Sequence, residues 1–206
     1  MSDMEFEDVV RGRMGMYSFF SAVFIDVPPK ELLKDLYEGK VEFPKLDGVD
    51  IVKSYPKEFE SFEEFERAVR QEYTAVFVGP FEGYVSLYQS DYEGDYPYGK
   101  VTLRVKEMFR KFGYECVHRE PADHLGVYMA FMAESCKELL NGKTDELKKQ
   151  REVMKELEKW IFDFCSKVEE HPEAKFYKGI VKMLRDFIKI DKNLIEELIL
   201  YATRKK

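Results

Sequence analysis

The sequence predicts an all-α protein, a single globular bundle of about seven to nine helices. Three observations lead there. Apolar residues recur at steps of three and four along most of the chain. No segment sustains the alternation of a half-buried strand, and Gly or Pro punctuates the periodic segments where helices should stop. With 206 residues, 45% of them apolar and 35% charged, the chain is long enough for a sizeable core and has the composition of a globular protein, not a disordered one.

The elements follow in order. Residues 4–24 carry Val9, Val10, Met14, Tyr17, Phe20 and Phe24 on one side of a helix. Pro28 and Pro29 end it and open a short helix over 30–37, because proline suits a first helical position. Residues 39–56 mix Gly, Pro and Asp without a sustained period and read as a loop. Phe62, Phe65, Val69, Tyr73, Val76 and Phe77 then mark an amphipathic helix that Gly79-Pro80 stops. Residues 80–99 form a long loop crowded with Tyr84, Tyr88, Tyr92, Tyr96 and Tyr98, too long for an ordinary connection. A helix over 101–112 stops at Gly113, and the next starts near EPADH at 120–124 and ends at Asn141-Gly142. One helix is expected over 146–168, broken by His171-Pro172, then two more over 175–190 and 193–201 with Asp191 near the start of the last.

Composition narrows the function. A net charge of −7 argues against nonspecific nucleic-acid binding, which needs a basic face, and favours basic partners. Cys116, Cys136 and Cys165 are odd in number and widely spaced, so neither a disulfide framework nor a zinc knuckle is expected, and a reducing cytoplasm is the simpler setting. The acidic start MSDMEFEDVV lacks the apolar core of a secretory signal, and no apolar run reaches the length of a membrane span. No GxSxG, Walker loop or GxGxxG is present, so the common hydrolase and nucleotide signatures are absent and no cofactor is expected; binding of a nucleotide or of a pterin cofactor is a third, weaker reading that no phosphate-cradling loop supports.

EPADH places two carboxylates and an imidazole beside a proline at a helix mouth. Four readings of those residues are open. Cys116, His118, Glu120, Asp123 and His124 all have ligand chemistry, but not in a recognised metal-site spacing. An acid/base pair is chemically possible, although adjacent helical residues point about 100° apart. Pro121 and Asp123 suit a helix cap, which leaves His124 as a half-exposed surface residue. The last reading is a recognition site, with Asp123 as an anion for a partner's cation and His124 as a hydrogen-bonding group.

The motifs become specific as an ordered set. EYTAVFVGP at 72–80 precedes VSLY at 85–88, then a helix ending at Gly113, then EPADH at 120–124 opening a helix that contains FMA at 131–133. That order resembles the TorD/DmsD family of redox-enzyme maturation chaperones. Two departures are visible: Val76 stands where the family carries Leu, and FEGYVS replaces a proline-rich stretch. The resemblance implies a cytoplasmic helical chaperone and not an enzyme. Such a protein binds the twin-arginine signal peptide or the apo form of a molybdenum-dependent oxidoreductase, assisting cofactor insertion and proofreading before export. It implies a peptide site built from Glu120, Pro121, Asp123, His124 and Tyr88, lined or supported by Tyr73 and Phe77, with no metal. It is compatible with a monomer or a helix-exchanged dimer. The competing reading is a metal-dependent hydrolase using His118, Asp123 and His124.

Overall fold

The computed structural model describes residues 2–79, 83–115, 117 and 119–204. Among them are ten α-helices and one 3-10 turn, with no named strand: α1 Asp3–Phe24, α2 Lys30–Tyr37, α3 Val49–Ser54, the turn Tyr55–Glu58, α4 Phe62–Phe77, α5 Gln89–Tyr92, α6 Lys100–Lys111, α7 Leu125–Leu140, α8 Glu146–Leu157, α9 Ile161–Glu170 and α10 Phe176–Arg204. The all-α expectation holds. The helices divide between two compact units, Met1–Ile25 with Tyr88–Trp160 and Lys189–Lys206, and Asp26–Leu87 with Ile161–Ile188.

In the first unit α7 is the central element, buried along much of its circumference through Leu125, Val127, Tyr128, Met129, Met132, Cys136 and Leu139. It packs against α1 and α8. α1 is opened by a capping box, Ser2 accepting from Glu5 N–H at 3.2 Å and Glu5 accepting from Ser2 N–H at 2.6 Å. The approach of α1 to α7 depends on Gly126, where an added Cβ would lie 2.6 Å from Ile25 Cα and 2.7 Å from Ile25 N. Within this unit Arg13 and Asp191 are both buried and form a two-pronged pair, Nε to Oδ1 at 2.5 Å and Nη2 to Oδ2 at 2.9 Å. Tyr17 donates its hydroxyl to the same carboxylate at 2.6 Å. Burial alone would pull the Arg13 guanidinium down; Asp191 reverses that and raises it well above its ordinary value.

The second unit has an aromatic core. Phe65 meets Tyr55, Phe59 and Phe176, and Phe77 meets Tyr73, Phe164 and Tyr177. Glu72 closes the start of α10 here, accepting backbone N–H groups of Lys175, Phe176 and Tyr177 at 2.7–3.1 Å.

Three expected boundaries differ. The loop over 39–56 contains α3 and leads into the 3-10 turn; both are too short to display a period, and they are fixed by buried Val52 and Tyr55. Gly48, at φ +89°, supplies the left-handed residue that starts α3. The helix expected over 146–168 breaks at 158–160, where Trp160 turns inward at 1% exposure and the chain passes from one unit to the other. The apolar period crosses the break, Leu157 to Ile161, so no sequence signal marked it. The two helices expected over 175–201 are one helix, because Asp191 does not cap a new start but is the buried partner of Arg13.

Candidate functional site: a latch at the mouth of α7

The mouth of α7 is assembled residue by residue. Pro121 O accepts the His124 N–H at 3.0 Å, closing a turn just before the helix. His124 is the N-cap: its Nδ1 accepts from Gly126 N–H at 3.0 Å, and its carbonyl accepts from Val127 and Tyr128. The bond to Nδ1 assigns the proton of the neutral ring to Nε2. The cap is therefore His124 and not Asp123, and at 2% exposure His124 is a buried residue rather than a half-exposed one.

Asp123 is fully buried. One carboxylate oxygen accepts from Ser90 N–H at 3.0 Å and the other from the Thr102 hydroxyl at 2.7 Å, while its carbonyl accepts from Gln89 N–H at 3.1 Å. The carboxylate ties the start of α5 and the first turn of α6 to the mouth of α7, and in this geometry it offers no solvent-facing oxygen to an arriving cation. Tyr88 lies antiparallel to His124 in an isolated bridge, its ring edge-on at 5.0 Å. The Tyr88 hydroxyl donates to Glu120 at 2.6 Å. Both Tyr88 and Glu120 are half-buried, so they are the members of the group that reach solvent.

Tyr88, Glu120, Pro121, Asp123 and His124 thus come together as expected from their order. Tyr73 and Phe77 belong to the aromatic core of the other unit, each 6% exposed and packed on Tyr177. Sequence reasoning missed Gln89, Ser90 and Thr102. Gln89 joins the latch to α7 and α8, accepting from the buried Tyr128 hydroxyl and donating to Glu156 at 3.0 Å. Burial, with Glu156 and Asp123 nearby, pushes the Tyr128 phenol well up, so it stays a donor. The 80–99 segment holds the one-turn α5, and its Tyr92 ring lies 5.3 Å from that of Trp160. A cleft of about 300 Å³ beside α7 is lined by Phe109, Tyr114, Val127, Ala130 and Phe131, together with Glu115 and Glu134.

No three His, Cys, Asp or Glu side chains among the described residues are placed to hold a metal. Cys116 and His118 lie outside the described residues. The Asp123 carboxylate and His124 Nδ1 are engaged by the chain's own donors, which leaves the pair shaping a loop.

Comparison with known proteins matches the nitrate reductase delta subunit family to residues 58–166, just over half of the 206 residues. The chain belongs to this family. The whole latch and every motif of the TorD-type resemblance fall inside the matched stretch. Two curated relatives are named chaperone protein TorD. The one from Shewanella loihica is 24% identical over 114 residues, 54% of this chain and 52% of the relative. The one from Shewanella pealeana is 27% identical over 120 residues, covering 55% and 52%. The chain therefore spans about half the length of the curated relatives it matches. A solved structure described as a candidate redox enzyme maturation protein, from Archaeoglobus fulgidus, shares the fold at a TM-score of 0.52 and 24% identity, over 89% of this chain and 93% of that one. The TorD-type resemblance is supported by the family match and by the two relatives named TorD, and the solved structure adds the shared fold.

Proposed function

We propose that the chain is a cytoplasmic maturation chaperone for a redox enzyme. In this reading its client is a molybdenum-dependent oxidoreductase with a twin-arginine leader, bound through the leader or the apo enzyme until the cofactor is in place. The observation that carries the reading is the family match across 58–166, which encloses the complete latch. Two features support it. The chain is acidic, at −7, as suits a basic leader. The cleft beside α7 has aromatic walls in Phe109, Tyr114 and Phe131, which suit the leader's apolar stretch. Tyr88 and Glu120 would touch the peptide, while Pro121, Asp123 and His124 would hold them in place, and Tyr73 and Phe77 would act by packing.

Isothermal titration with synthetic leaders of the host's own molybdoenzymes tests the reading, with leaders whose paired arginines are replaced by alanine as controls. Saturable binding that needs the arginines is the expected result. If neither these leaders nor the purified apo enzymes bind, the client assignment fails.

A further inference from the structure

Tyr98 is the one non-glycine residue with positive φ, +66°, among the described residues. A ringed side chain in the left-handed region is strained and persists only where its surroundings impose it. The imposing contacts are visible. Tyr98 N–H donates to Thr102 Oγ1 at 3.0 Å, and the Thr102 hydroxyl donates in turn to the buried Asp123 at 2.7 Å. On the other side Asp95 accepts from Val101 N–H at 2.8 Å and from the backbone of Tyr96 and Lys100, donors that hold its carboxyl below the usual range. Gly99 N–H closes back on Tyr96 O at 2.9 Å.

A loop tied this firmly would ordinarily bury its aromatic rings. Here Tyr96 is 71% exposed and Tyr98 is 70% exposed, on either side of Pro97. The strain presents two rings to solvent instead of packing them. Rigid tyrosines offer large contact area at little entropic cost, and their faces attract guanidinium groups. Of the acidic residues beside the rings, Glu93 is held by Arg104 at 2.8 Å and Asp95 by backbone N–H groups, so exposed Asp91 is the carboxylate left to draw a cation.

The geometry points to the Tyr96-Pro97-Tyr98 knuckle as the surface that receives an arginine-bearing peptide, with Thr102 and Asp123 as positioning residues that set it from inside the fold. This rests on the chaperone reading and adds to it the place where the arginines dock. It also gives Asp123 a part in recognition that does not require it to touch the client.

The test uses the full chain and a synthetic leader with paired arginines followed by its apolar stretch, titrated by calorimetry, with urea unfolding run on every variant. Tyr98→Gly removes the ring and relieves the positive φ. It should leave stability unchanged or raised yet weaken peptide binding about tenfold, as should Tyr96→Ala, since truncated aromatic anchors are where interfaces lose most. Tyr98→Phe keeps the ring and should bind as the parent does. Thr102 is only 4% exposed and cannot contact a peptide. Thr102→Val should still weaken binding several-fold, and Thr102→Ser, which restores the hydroxyl, should recover it. If the parent binds the leader and Tyr98→Gly and Tyr96→Ala bind it equally well, the knuckle is overturned and the chaperone reading stands. If Thr102→Val binds normally, its positioning role is overturned. If the parent binds no leader, the knuckle is overturned, and the chaperone reading then rests on binding of the apo enzyme.

Discussion

Asp123→Ala is the sharpest probe of the latch. The buried carboxylate accepts one hydrogen bond on each oxygen, from Ser90 N–H and from the Thr102 hydroxyl. Alanine leaves both donors buried without an acceptor, at about 1–3 kcal/mol each, partly offset because a buried charge no longer has to be kept out of water. A net loss of about 3 kcal/mol follows. Asp123→Asn also removes the charge but keeps one acceptor oxygen, so one of the two donors stays satisfied and a smaller loss of about 1–2 kcal/mol is expected. Urea unfolding reads the global part. Amide hydrogen exchange reads the local part: the Ser90 N–H should exchange about 100-fold faster in the alanine variant, since 1.4 kcal/mol is tenfold. An unchanged unfolding midpoint together with an equally protected Ser90 amide would refute the latch.

Other expectations follow from the same contacts. His124→Ala should cost about 1 kcal/mol through loss of the α7 cap, whereas His124→Asn, which can accept from Gly126 N–H, should cost only a few tenths, measured by urea unfolding. Arg13→Met strands the buried Asp191 and should cost about 3–5 kcal/mol, while Arg13→Met with Asp191→Leu should recover much of that loss. Burial pushes the Cys136 thiol up to about 11, against a smaller opposing pull from Arg13. Because the folded value lies above the unfolded one, the folded state holds the proton longer, and the thiol's contribution to stability falls as pH rises from about 9 towards 11. Alkylation of Cys136, followed by mass spectrometry, should be negligible at pH 8 and appear on unfolding.

Long amphipathic periods were legible, and α1, α2, α4 and α6 lie within a residue or two of where the pattern placed them. Features decided by distant partners were not. The break at 158–160 is silent because the apolar spacing runs through it, and Asp191 resembles a helix start until Arg13, 178 positions away, is known to hold it. The site divides in the same way. The order of Tyr88, Glu120, Pro121, Asp123 and His124 located the latch. Of the open readings, the one that gave the cap to Pro121 and Asp123 does not hold, because Ser90 and Thr102, which lie 33 and 21 positions upstream, occupy that carboxylate and leave the imidazole to cap. Thr102 carries no signal of its own, since a threonine on the inner face of a helix reads as packing.

The long separation between Arg13 and Asp191 also sets a clock for the nascent chain. At about 5–20 residues per second, Asp191 is synthesised roughly 9–36 s after Arg13. Through that interval the Arg13 guanidinium lacks its counterion, and for the first part of it, until α7 is made, the apolar face of Val10, Phe20 and Phe24 on α1 also lacks its main packing partner. A protein whose relatives are named as chaperones therefore passes through an extended, sticky stage of its own. Ribosomal pausing late in the message would lengthen its exposure to aggregation or to the cell's general folding machinery.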